Sequence, residues 1–196
     1  MFHSRFNQVL AIAVWLFCCG AVAAVLVSGL GKSAEYLPLI AFGAFLAWAG
    51  LWRPAVGVAD DAVTIVNVFS TVVVPWTALI QVETRYALTL VTPGGRYTAT
   101  AAPAPGRLAT ALSRREMGRV ESQTGGVGTM RPGDLPTTDS GAAAYLVRQR
   151  WEKLVAEERI ELGVADSTPA TRRWHWAVIA MSAALLVAAM VSLALG

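Results

Sequence analysis

The chain has 196 residues, 55% of them apolar and 15% charged, with a net charge of +3. Its two cysteines are adjacent within one apolar run, which excludes a disulfide-stapled scaffold, and its two histidines leave no residues for a Cys/His metal site. Between Arg53 and Arg173 fourteen basic residues face twelve acidic ones, a net of +2, so the positive excess forms no concentrated patch and argues against a nucleic-acid partner.

The first apolar run, Val9 to Leu30, carries no charge and is long enough to cross a hydrocarbon core at 1.5 Å per residue. Its length and the second run close behind it argue against a cleaved signal peptide. Phe17 stands before Cys18, where a lipidated cysteine needs a small residue, so Cys18 and Cys19 are read as packing residues. The second run, Leu37 to Trp52, also lacks charge and ends with Trp48 and Trp52 at the depth of an interfacial aromatic belt. A third span opens at Arg172, Arg173, Trp174, His175 and Trp176 and continues to residue 196. Lipids are therefore expected around three spans.

Arg5, Arg53, Arg172 and Arg173 collect at one set of span ends, while the first hairpin holds Lys32 offset by Glu35. The positive-inside rule places the amino terminus and residues 53 to 173 in the cytoplasm, with the hairpin and the carboxyl terminus outside. Small residues at Ala180, Ala184 and Ala188, and at Ala41, Gly43, Ala44, Ala47 and Gly50, allow close helix approach, either within the chain or at a partner interface.

From Arg53 the texture changes to short β-prone stretches. Ala62 to Phe69 and Thr71 to Val74 read as strands, with Asp60 and Asp61 at the preceding turn and Pro75 ending the second strand. Tyr86 to Val91 and Arg96 to Ala101 alternate on either side of Pro93, Gly94 and Gly95, the clearest hairpin in the chain. Leu108, Ala111 and Leu112 suggest a short helix over that sheet. Residues 122 to 140, rich in Gly, Pro, Thr and Asp, read as a flexible linker. Thr138, Asp139 or Ser140 then caps an amphipathic helix over 141–163 with Val147, Trp151, Leu154 and Val155 on one stripe and Gly163 at its close.

Arg53-Pro54, the Asp60-Asp61 turn, the run IVNVFSTVVVPWTALIQVE and the Gly-Gly turn, following a two-helix membrane hairpin, resemble the bacterial PH-like domains of actinobacterial membrane proteins. The motif within this stretch is Pro75-Trp76 followed by Leu79 or Ile80. The resemblance implies a split β-barrel over 53–121 capped by a C-terminal helix, hence an α+β membrane protein with three transmembrane helices. The sequence supplies about five strands where such a barrel needs seven, so the open edge is expected under a later helix or paired with another chain.

No catalytic or cofactor-binding constellation is legible. His3 and His175 stand without an acid–base or metal partner in the sequence, Asp60 and Asp61 read as turn residues, and Gly125, Gly126 and Gly128 lack the Lys-Ser/Thr of a phosphate loop. The first hairpin is acidic, against a phosphoinositide clamp there, and Arg114, Arg115 and Arg119 form the densest basic cluster, diluted by Glu116 and Glu121. The candidate interaction or membrane-contact residues are Trp76, Arg114, Arg115, Trp151, Arg172 and Arg173. The expected function is a non-enzymatic scaffold that docks a protein partner at the cytoplasmic face, with homo-oligomerisation left open; a lipid-sensing or transport-accessory module is the alternative.

Overall fold

The structure, a computed structural model, describes residues 1–29, 33–103, 138–160 and 168–195. Helix α1 (Arg5–Ser28) starts where the Ser4 hydroxyl accepts the Asn7 amide at 3.2 Å and stops at Gly29, whose φ of 93° suits glycine. A turn of 3-10 helix (Ala34–Tyr36) leads into α2 (Leu37–Ala47), which widens into a π turn over Trp48–Trp52. The third apolar helix, α4 (Trp176–Leu195), follows the rest of the domain. With the 3-10 and π turns that extend α2 to Ala34–Trp52 included, all three are long and apolar enough to cross a membrane.

Helix α2 packs against both α1 and α4. Only 17%, 11% and 11% of their apolar windows are buried, which leaves most of each surface for lipid. The Trp15 Nε1 donates to the Ala44 carbonyl at 3.1 Å, and at the opposite end the Ser192 hydroxyl donates to the Glu35 carbonyl at 2.9 Å. Of the small residues of α2, Ala47 is buried and Ala44 meets Trp15 of α1, while Gly43 borders open space; Ala180, Ala184 and Ala188 of α4 face outward. Helix α4 instead turns Val178 and Ala189 inward.

The extramembrane part is built from seven strands among the described residues: β1 (Ala55–Val58), β2 (Ala62–Val66), β3 (Ser70–Pro75), β4 (Gln81–Glu83), β5 (Ala87–Thr92), β6 (Gly95–Pro103) and β7 (Thr171–Trp174). They form two antiparallel sheets, one ordered β1-β2-β3-β7 and the other β4-β5-β6. The count corrects the expected five strands. The edge of β3 is covered neither by a helix nor by another chain, because β7 pairs with it in the register Ser70 to Trp174 and Thr71 to Arg173. Residues 172–174 are thus strand, and the third span begins at Trp176.

Sequence chemistry explains most of these elements. Strand β3 buries Ser70, Val72 and Val74 on one face, and Pro75 ends it at a 3-10 turn over Trp76–Ala78. The β5–β6 turn works because Gly95 has φ 143°, a backbone shape that a side chain would strain. Asn67 joins the two sheets: its amide donates to the Thr98 carbonyl at 2.8 Å while its oxygen accepts the Thr100 amide at 2.9 Å and hydroxyl at 3.0 Å.

Helix α3 (Asp139–Ala156) closes the core. Thr138 is its cap, accepting the Gly141 amide at 3.1 Å, and Ala143, Ala144, Val147 and Leu154 pack with Ile65, Leu88, Leu90 and Ala99 from both sheets. The helix ends seven residues before the expected position. Glu158 takes the left-handed conformation at φ 53°, and the Arg159 and Glu158 amides donate back to the Leu154 and Val155 carbonyls at 3.0 and 3.1 Å, a Schellman stop that does not wait for a glycine. Gly163, the helix expected around Leu108 and the linker up to residue 137 lie outside the described residues.

Candidate functional site

Three elements converge where the domain meets the spans. Arg53 follows the π turn of α2, Thr71 lies in β3, and His175 separates β7 from α4. The Arg53 Nη1 donates to the Val68 carbonyl at 3.0 Å and meets the His175 Nδ1 at 2.8 Å, with its guanidinium 5.8 Å from the Trp48 ring centroid. A guanidinium can only donate, so Nδ1 accepts and the ring proton belongs on Nε2, which donates to the Thr71 hydroxyl at 2.9 Å. His175 therefore has two side-chain partners. This corrects the expectation that it stands alone between two tryptophans, and it locks the ends of α2 and α4 to the sheet between them.

The amino-terminal residues add a further attachment. Phe2 and Val56 exchange backbone hydrogen bonds of 2.6 and 2.9 Å, and the Ser4 hydroxyl bonds to the Asp139 carboxylate at the start of α3. The beginning of α1, the end of α2 and the beginning of α4 consequently lie on one side, with the domain. The described arginines Arg5, Arg53, Arg172 and Arg173 and the aromatic residues Trp48, Trp52, Trp174 and Trp176 collect there.

A groove runs along each flank of α3. One, of about 570 Å³, has Phe2, Val56, Val58 and Leu146 as its apolar surface and Arg150 and Lys153 at its margin. Arg150 is held there by an ion pair with Asp60, so the turn carboxylate has a structural partner. The other groove, of about 360 Å³, lies between α3 and β4, with Leu79, Ile80, Val82, Arg148 and Trp151 among its walls. Arg148 donates to the Val82 carbonyl at 3.0 Å, and the Trp151 Nε1 is buried with no hydrogen-bond partner among the described residues.

The candidate residues thus separate. Arg172 and Arg173 join Arg53 and His175 at the membrane junction, Trp151 lines the smaller groove, and Arg114 and Arg115 lie outside the described residues. Trp76 is a core residue, 3% exposed, whose Nε1 donates to the Ala59 carbonyl at 3.0 Å. It braces the β1–β2 turn from inside and presents no contact surface. Sequence reasoning missed Thr71 and His175 as a set joined to Arg53, and Asn67 as a tie to β6, because each finds its partners across long sequence separations; the polar His175 between two apolar aromatics was the signal available. Among the described residues, no group of three His, Cys, Asp or Glu side chains converges as a metal ligand set.

No curated protein and no solved structure matches this chain. Residues 53–121 match the family model described as Bacterial PH domain, which covers β1 to β6 and the segment after them but neither α3 nor β7. With the apolar helices on either side, the molecule is a multi-pass α+β membrane protein that carries a bacterial PH domain.

Proposed function

We propose that the chain is a non-enzymatic scaffold that docks a protein partner through its PH domain at the cytoplasmic face of the membrane. Helix α3 carries this reading. It buries Ala143, Ala144, Val147 and Leu154, leaves Tyr145 and Leu146 56% and 43% exposed, and has a groove on either flank. The larger groove combines an apolar floor with cationic margins, which suits a partner segment that carries apolar anchors beside carboxylates.

The orientation follows from charge. Arg5, Arg53, Arg172 and Arg173 gather at the domain ends of the spans against Lys32 in the opposite hairpin, and the positive-inside rule puts the richer side in the cytoplasm. Attachment through α2 and α4 keeps the domain close to the bilayer and favours a fixed assembly role over reversible recruitment. A photo-crosslinking residue in place of Leu146, in the full chain in its native membrane, should give a protein adduct that Lys153→Glu removes, whereas the same residue at Tyr86 should give none. Adducts with lipid alone, or a pattern indifferent to Lys153→Glu, would overturn the docking assignment. A topology reporter inserted between residues 122 and 137 should report the cytoplasm, and an external signal would reverse the orientation.

A further inference from the structure

We propose that β7 forms a binding site for the phosphate of an anionic membrane phospholipid. The His175 amide donates to the Phe69 carbonyl at 2.8 Å, in the register that sets Arg173 against Thr71. Ladder groups alternate along an antiparallel strand, so Thr171, Arg173 and His175 bond toward β3 while the backbone N–H groups of Arg172 and Trp174 point to the open edge. Two amide donors therefore line the strand directly before the third span.

The Arg172 side chain lies over the face of the sheet that carries Trp174 and Ser70. Its guanidinium lies 4.2 Å from the Trp174 ring centroid, and its Nε donates to the Ser70 hydroxyl at 3.2 Å. These contacts fix the plane of the guanidinium and leave its two terminal nitrogens, which meet no acceptor among the described residues, as a fork of the kind that takes two oxygens of one phosphate. Arg173, exposed on the opposite face of the strand, adds a second positive charge, and no carboxylate among the described residues pairs with either arginine.

Depth and charge identify the occupant. Trp174 and Trp176 are 48% and 72% exposed at the start of α4, which sets β7 at the level where lipid phosphates lie. A headgroup with net negative charge suits the Arg172 fork and gains from the Arg173 charge close by, while a choline group would add a like charge to both. The site is far in sequence from the acidic β1–β2 turn, and it requires no partner on α3.

The test uses the full-length protein in mild detergent, titrated with phosphatidylglycerol or phosphatidylcholine and read by native mass spectrometry. The double substitution Arg172→Gln and Arg173→Gln should weaken phosphatidylglycerol binding about thirtyfold, roughly fivefold for each lost contact, and leave phosphatidylcholine unchanged. Arg172→Lys keeps the charge but loses the planar fork and should fall in between; Arg159→Gln on the exposed end of α3 should have no effect. Amide exchange at Thr71 and Arg173 reports whether β7 stays paired, and where the double variant loses that pairing the Arg172→Lys variant decides. Undiminished phosphatidylglycerol affinity in the paired double variant, or in Arg172→Lys, would overturn the site. Displacement of the lipid by excess inorganic phosphate would overturn a phospholipid as its occupant.

Discussion

The two sheets of the extramembrane domain are closed in different ways. The β4-β5-β6 sheet is a meander of consecutive strands joined by short turns, so each pairing closes a small loop. The other sheet begins with β1 at the end of one span and ends with β7 at the start of another, pairing Ser70 with Trp174. Closing so long a loop costs entropy in a free chain, and here each end of the sheet continues directly into an apolar helix. The comparison teaches that the first sheet depends on where two apolar helices bring its ends, whereas the second sheet depends on the core beneath it and the bonds that tie it to its neighbour.

Removing core beneath both sheets should have the largest effect. Leu154 is 1% exposed in the cluster shared by α3 and the two sheets, and Leu154→Ala should cost about 3 kcal/mol through lost burial and the cavity left behind. Denaturant unfolding of the purified protein checks the size, and amide exchange should rise in both sheets together. A rise in one sheet alone would mean that the core is divided. Trp76 sits at the crossover from β3 to β4, so Trp76→Phe should rank next, at about 2 kcal/mol for the lost Ala59 bond and a small void. If Trp76 instead served as a contact residue, the same substitution would spare stability and reduce partner adducts at Leu146.

Asn67 separates the sheets more cleanly. Its three hydrogen bonds to β6 are partly open to water, so Asn67→Ala should cost about 1.5 kcal/mol. Faster amide exchange should appear at Thr100 and its neighbours in β6, with the β3–β7 amides unchanged. A uniform increase across both sheets would show that the seam is not the local tie described here.

What the sequence made legible follows the same division. The β5–β6 hairpin was readable because Pro93, Gly94 and Gly95 supply their own turn chemistry, and Thr138 stood among the three caps proposed for α3. The spans were readable because their apolar runs need no tertiary context. Strand β7 was not: four exposed residues beside an apolar run look like the lip of a span, and only β3, a hundred residues earlier, makes them a strand. The candidate arginines Arg172 and Arg173 were found by charge, but their neighbours Ser70, Thr71 and His175 are supplied by the fold. Asp60 was read as a turn residue because its partner Arg150 lies on α3. Glu158 ended α3 without warning, since a left-handed stop at a residue other than glycine leaves no compositional mark.

The smallest expected effect guards against explaining the meander by its surface charges. Arg96 and Glu83 form an ion pair of 3.3 Å across β6 and β4, with side chains 68% and 26% exposed. Such a pair in water contributes at most about 0.5 kcal/mol once screening and side-chain ordering are counted, so Arg96→Ala should leave the unfolding midpoint nearly unchanged at physiological salt. A larger loss that disappears in high salt would show that the pair holds the meander electrostatically. If the loss persisted in high salt, the aliphatic stem of Arg96 would be the cause, through its packing on the strand beneath. In either case the second sheet would owe less to Leu88 and Leu90 than their complete burial indicates.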